Sequence, residues 1–108
     1  MLGTLTETIA IDVEDGQGDA EIEPVWREIG RMRAAVKPVR ASEAEREGAL
    51  RTVQVYLFKV LTSALRAMPV TASHRIRWKG TSYNVREVRS PVDREPFTEI
   101  VAESGVTL

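Results

Sequence analysis

A chain of 108 residues, 43% hydrophobic and 29% charged with 7 Gly and 5 Pro, has the size and composition of one folded domain and not of a disordered chain or a repetitive fibre. It has no cysteine, which excludes disulfides, thiol nucleophiles, iron–sulfur clusters and every cysteine-based zinc site. The net charge of −1 hides a division, because residues 1–23 hold seven acids and no base, residues 24–95 fifteen bases and seven acids, and residues 96–108 two acids.

Residues 5–13, LTETIAIDV, set Leu5, Glu7, Ile9, Ile11 and Val13 on one side of an extended chain and Thr6, Thr8, Ala10 and Asp12 on the other. This period of two predicts a strand near 4–13 with one buried face, Glu7 being its one charged exception. In EDGQGDAE, which follows, Asp15-Gly16 and Gly18-Asp19 tolerate left-handed backbone angles and predict a hairpin turn or an acidic loop. After Pro24, Met32, Ala34 and Val36 share one face of a second strand over roughly 27–37, with Pro38 ending regular pairing. A long polar loop over 38–50 comes next; within it Ser42 is placed to cap a short helix and Gly48 to end one, so helix and loop both stand open.

In LRTVQVYLFKVLTSALRAM, Val53, Val55 and Leu57 alternate while Val53, Leu57, Val60, Leu61, Ala64, Leu65 and Met68 also fit a helical stripe. The β-branched and aromatic density of TVQVYLFKV predicts a strand near 52–61, and the Ala, Leu and Arg of TSALRAM predict a helical turn after it, with 62–73 open between helix and loop. HRIRWKGTSYNVREV reads as a hairpin, strands near 75–79 and 81–88, turning at or near Lys79-Gly80. SPVDREP is a loop, and FTEIVAES a last strand near 97–102. Five or six short strands with at most one or two short helices make the expected fold mainly β, a small barrel or sandwich in a single domain over 1–108.

Catalytic chemistry finds little support. His74 is the only histidine, no Ser/His or Cys/His spacing surrounds it, and it reads as structural; no enzyme, cofactor or metal is expected. Asp12, Glu14, Asp15 and Asp19 lack the spacing of a calcium loop and its closing glutamate, so they read as solvated turn acids. Gly16 and Gly18 form a GxG without the strand-to-helix cradle that a phosphate loop needs. Arg75, Arg77 and Lys79 alternate with Ile76 and Trp78 and form either a solvated strand face or a basic stripe for a nucleic-acid backbone. No apolar run is long enough for a membrane span and no signal peptide is expected, which makes the cytosol, or an assembly built there, the expected location.

The order of these elements resembles the phage head-tail adaptor, or head-closure (stopper), family over about residues 4–102. The residues that carry the resemblance are Arg77-Trp78-Lys79-Gly80-Thr81-Ser82-Tyr83-Asn84-Val85, a basic strand with a WxG turn, together with Met32 to Pro38 followed by Ser42-Glu43. The resemblance implies a virion protein of a phage or gene transfer particle at the head-tail junction. It implies a small β-barrel with a protruding loop, in a ring of six or twelve copies between a portal-side adaptor ring and a tail terminator or tail-completion protein. Double-stranded DNA would occupy the lumen. In such a ring the loop residues Arg40, Glu43, Glu45, Arg46, Glu47 and Arg51 are candidates for lining the lumen or docking the next ring. Asp12, Glu14, Asp15 and Asp19 of one copy and Arg31, Arg33, Arg75 and Arg77 of the next are candidates for the subunit interface, since twelve of the fifteen bases are arginine and opposite potentials select the correct neighbour. Two alternatives are a nucleic-acid-binding barrel of the OB or SH3-like kind that stacks bases on Tyr56, Phe58, Trp78 and Tyr83, and a tail-completion or terminator protein of the same particle.

Overall fold

The computed structural model describes residues 5–15, 25–39, 54–89 and 96–104. Six strands, β1 (Glu7–Asp15), β2 (Val25–Pro38), β3 (Gln54–Leu61), β4 (His74–Trp78), β5 (Thr81–Arg89) and β6 (Phe97–Ser104), and one helix, α1 (Thr62–Ala67), lie within these residues. The strands run in the order β1-β2-β3-β6-β5-β4, each antiparallel to its neighbour, and β4 pairs with β1 to close a barrel. The mainly β expectation holds, and of barrel and sandwich it is the barrel that forms.

The interior is filled by the side chains that the pleat turns inward. Ile9 and Ile11 of β1, Phe58 and Val60 of β3, Ile76 of β4 and Ile100 of β6 are all fully buried, with Met32, Ala34, Tyr83, Val85 and Ala102 completing the core. Six strands leave no more room than these side chains occupy. On β3 the core face is Tyr56, Phe58 and Val60, and the alternating Val55 and Leu57 point outward; both parities of this strand are apolar, so periodicity alone did not choose between them.

β1 corrects the expectation of one buried face. Ala10 and Asp12, on the side opposite the core, are 6% and 2% exposed, because the neighbouring strands' side chains fold over them. A bulge between Ile11 and Asp12 shifts the register against β2, where Ile11 faces Gly30 and Asp12 faces Glu28, and it turns Ile29 toward the core. Glu7, the charged exception on the inward face, has its reason: its Oε1 accepts a hydrogen bond from Trp78 Nε1 at 3.0 Å.

In a six-strand ring β3 and β4 stand on opposite sides, so the chain joining them crosses one end of the barrel. α1 begins this crossing and the following residues complete it. The helix has no side-chain cap and no acid in its first turn. Packing holds it instead: Ala64, Leu65 and Met68 lie against the core, Val70 is buried in it, and Thr62 N–H donates to Pro96 C=O at 2.8 Å. The stretch left open over 62–73 is thus helical to Ala67 and irregular beyond it. At the other end, Lys79 (φ 52°) and Gly80 (φ 79°) form the two-residue hairpin turn, both with the positive φ of a type I′ turn.

Candidate interaction surface

The outer wall across β4, β1 and β2 carries a chain of charges organised by Asp12. The pairing register sets Asp12 beside Arg75 on one side and Glu28 on the other. Arg77 closes a fork on its carboxylate, Nε to Oδ2 and Nη2 to Oδ1, both at 3.2 Å, and Arg75 Nη2 reaches Oδ2 at 3.5 Å. Arg77 Nη2 also donates to Glu28 Oε1 at 2.7 Å, and Arg31 Nε donates to Glu28 Oε2 at 3.0 Å. The Arg75 guanidinium lies 4.3 Å from the centre of the Trp26 ring, while its Nε is buried without a hydrogen-bond partner.

Electrostatics follow from this geometry. Hydrogen bonds from Arg31 first and Arg77 second hold the Glu28 carboxyl below its ordinary range. Hydrogen bonds to Asp12 and then to Glu28 raise Arg77 further above its already high value, so it stays charged at every accessible pH. The reading of Asp12 as a solvated turn acid is corrected: its side chain is buried under two arginines of its own chain. Burial is possible because the fork satisfies both carboxylate oxygens with charged donors.

The other singled-out residues are distributed around this network. Arg75 and Arg77 belong to it, Arg31 joins through Glu28, and Arg33 is exposed, its Nε donating to Leu5 C=O at 3.2 Å. Glu14 is exposed opposite Trp26, and Asp15 lies opposite Val25 at the end of β1. Asp19 and the loop residues Arg40, Glu43, Glu45, Arg46, Glu47 and Arg51 lie outside the described residues. Sequence reasoning passed over Glu28 and Trp26; neither has a spacing signal, since their partners come from strands far along the chain. His74 Nδ1 accepts the Thr71 N–H at 3.0 Å, which ties the crossing segment to the start of β4.

The rings proposed for base stacking face inward. Tyr56, Phe58, Trp78 and Tyr83 pack edge-on or tilted against one another with centroids 5.2 to 6.4 Å apart. Phe58 is fully buried and Tyr83 4% exposed, and burial, reinforced by nearby Tyr56, raises the Tyr83 phenol above its usual value. A base cannot stack on a ring that is buried, so Phe58 and Tyr83 belong to the core, and the half-buried Tyr56 and Trp78 pack against it. Arg75 and Arg77 point out as Ile76 points in, the strand-face arrangement, with both guanidiniums engaged by Asp12.

The family model described as phage head completion protein matches residues 2–105 of the chain. Among solved structures, the fold is similar to the solution structure of protein SF1141 from Shigella flexneri 2a, with a TM-score of 0.67 and 21% identity over 96% of each chain. It is also similar to a chain in the virion of a native gene transfer agent particle, with a TM-score of 0.64 and 19% identity over 94% of this chain and 96% of that one. At such identities the likeness is one of fold. No curated protein matches the chain.

Proposed function

Because the chain belongs to the phage head completion protein family, we propose that it acts as a head-closure subunit, several copies forming a ring between a portal-side adaptor ring and the tail, with double-stranded DNA passing through the lumen. Membership makes the chain a structural component of the virion, and the resemblance read from its hairpin and loop order holds at the level of the family. The observation that carries the reading is a match spanning residues 2–105 on a barrel whose interior is solid with side chains. Such a barrel has no bore of its own, which supports a passage for DNA between copies arranged in a ring, and six or twelve copies are what the resemblance implies.

Within that ring we assign the polar segment that follows β2, expected from the sequence as a loop over 38–50, and its neighbour Arg51 to the lumen or to contact with the adjoining ring. Arg40, Arg46 and Arg51 are interspersed with Glu43, Glu45 and Glu47, and mixed signs let a phosphate backbone slide where an all-basic wall would hold it. Electron microscopy of purified particles, with this protein labelled, tests the reading. A ring of density at the head-tail junction is the expected result, and particles that close and retain DNA without the protein would overturn it. Deleting residues 40–48 is expected to leave the ring in place and lower DNA retention or tail joining; unchanged particles would remove the loop from both roles.

A further inference from the structure

We propose that neighbouring copies join through two opposite walls of the barrel, the β4–β1–β2 wall of one copy receiving the β6 carboxylates Glu99 and Glu103 of the next. The inference rests on the ring reading above and assigns its contact surfaces. On the receiving wall a shallow depression of about 180 Å³ is lined by Thr8, Ala10 and Gly80 with Arg31, Arg77 and Lys79 around them. Small residues make it a socket and the cations give it a sign. Arg31 is 62% exposed beside it, and among the described residues Lys79 has no carboxylate partner, its ammonium lying 5.0 Å from the centre of the Trp78 ring.

β6 lies three strands from β1 in either direction around the barrel, on the far wall. Its core residues Thr98, Ile100 and Ala102 alternate with Glu99, Val101 and Glu103, whose register partners are Lys59, Leu57 and Val55. This wall therefore carries two carboxylates, Glu99 with a side chain 41% exposed and Glu103 with one 21% exposed, on either side of the buried Val101. Among the described residues each carboxylate uses one oxygen within its own chain, Glu103 Oε1 at 3.1 Å from Arg86 Nε and Glu99 Oε1 at 3.4 Å from Arg89 Nη1, which leaves the second oxygen of each for another donor.

The socket suits single carboxylates better than a nucleic-acid backbone. Asp12 and Glu28 already offset most of the charge of Arg75, Arg77 and Arg31, so a polyanion laid along this wall would meet acceptors as well as donors. Complementary halves on opposite walls also make the contact heterologous, and a heterologous contact repeats from copy to copy until a ring closes.

Since the chain has no cysteine, thiol trapping reads this contact directly. Particles carrying Thr8→Cys with Glu99→Cys, or Lys79→Cys with Glu103→Cys, are treated with a short bis-maleimide. We expect a ladder of covalent multiples from at least one double variant and none from the single variants. Both double variants present in particles at the normal amount without a ladder would overturn the interface and leave the ring reading standing. Absence of the unmodified protein from particles would instead overturn the ring reading. If the cysteine pairs do not incorporate, Lys79→Glu is expected to lower particle yield at least tenfold and added Glu103→Lys to restore most of it; an unchanged yield for Lys79→Glu and Glu103→Lys alone would equally overturn the interface.

Discussion

Asp12 holds two guanidinium groups with one carboxylate that water hardly reaches, and its removal leaves Arg75 and Arg77 facing each other across an empty acceptor. Asp12→Ala is expected to lower stability by roughly 2–4 kcal/mol, read from urea denaturation, since charged hydrogen bonds are lost and like charges stay. Glu28→Ala, at a more exposed position where solvent screens its ion pairs, is expected to cost much less than Asp12→Ala in the same assay. Glu28 has a distinct signature in acid. Its carboxyl is held below the ordinary value, so the folded chain binds that proton less readily than the unfolded one. Its contribution is therefore complete at neutral pH and drains as pH falls below about 4.3 and then through the lower folded value. Melting temperature followed from pH 7 to 3 should fall less steeply for Glu28→Gln than for the parent chain; equal slopes would detach Glu28 from acid unfolding.

Among the elements, α1 has the least support from its own sequence and the most from its surroundings. It is six residues long, uncapped, and kept by the barrel end it covers. Gly30 is the matching device on β2, because a Cβ there would stand 2.5 Å from Met68 Sδ. Gly30→Val is expected to push Met68 off its seat at a cost of about 1–3 kcal/mol, and to cost markedly less in a Met68→Ala background, as a double-mutant cycle in urea would read. The hairpin at Lys79-Gly80 and the helical turn after Leu61 were legible beforehand, since turn chemistry and local propensity act within a few residues. Glu7 was legible as an exception, but its cause, the Trp78 indole, comes from a strand 71 positions along the chain. Asp12 was misread for the same reason, for nothing near it in the chain announces two arginines from β4. The inward face of β3 was undetermined because Val55, Leu57, Phe58 and Val60 make either parity apolar.

At the scale of the whole molecule, solidity inside and charge outside divide the work. The core is filled with side chains, and the charges of the described residues lie on the outer walls. The principal charge network lies on the wall that closes the barrel, where β1 meets β4. That seam has a kinetic consequence. Hairpins such as β4–β5 join neighbouring stretches, whereas the Asp12–Arg77 contact spans 65 residues, and the long loop it shuts makes it a late step in folding. Asp12→Ala should then speed unfolding and leave the folding rate nearly unchanged, giving a chevron whose arms shift unequally. A newly made subunit with its seam still open would present two bare strand edges to its like, so the interval before assembly is when this protein is most exposed to aggregation.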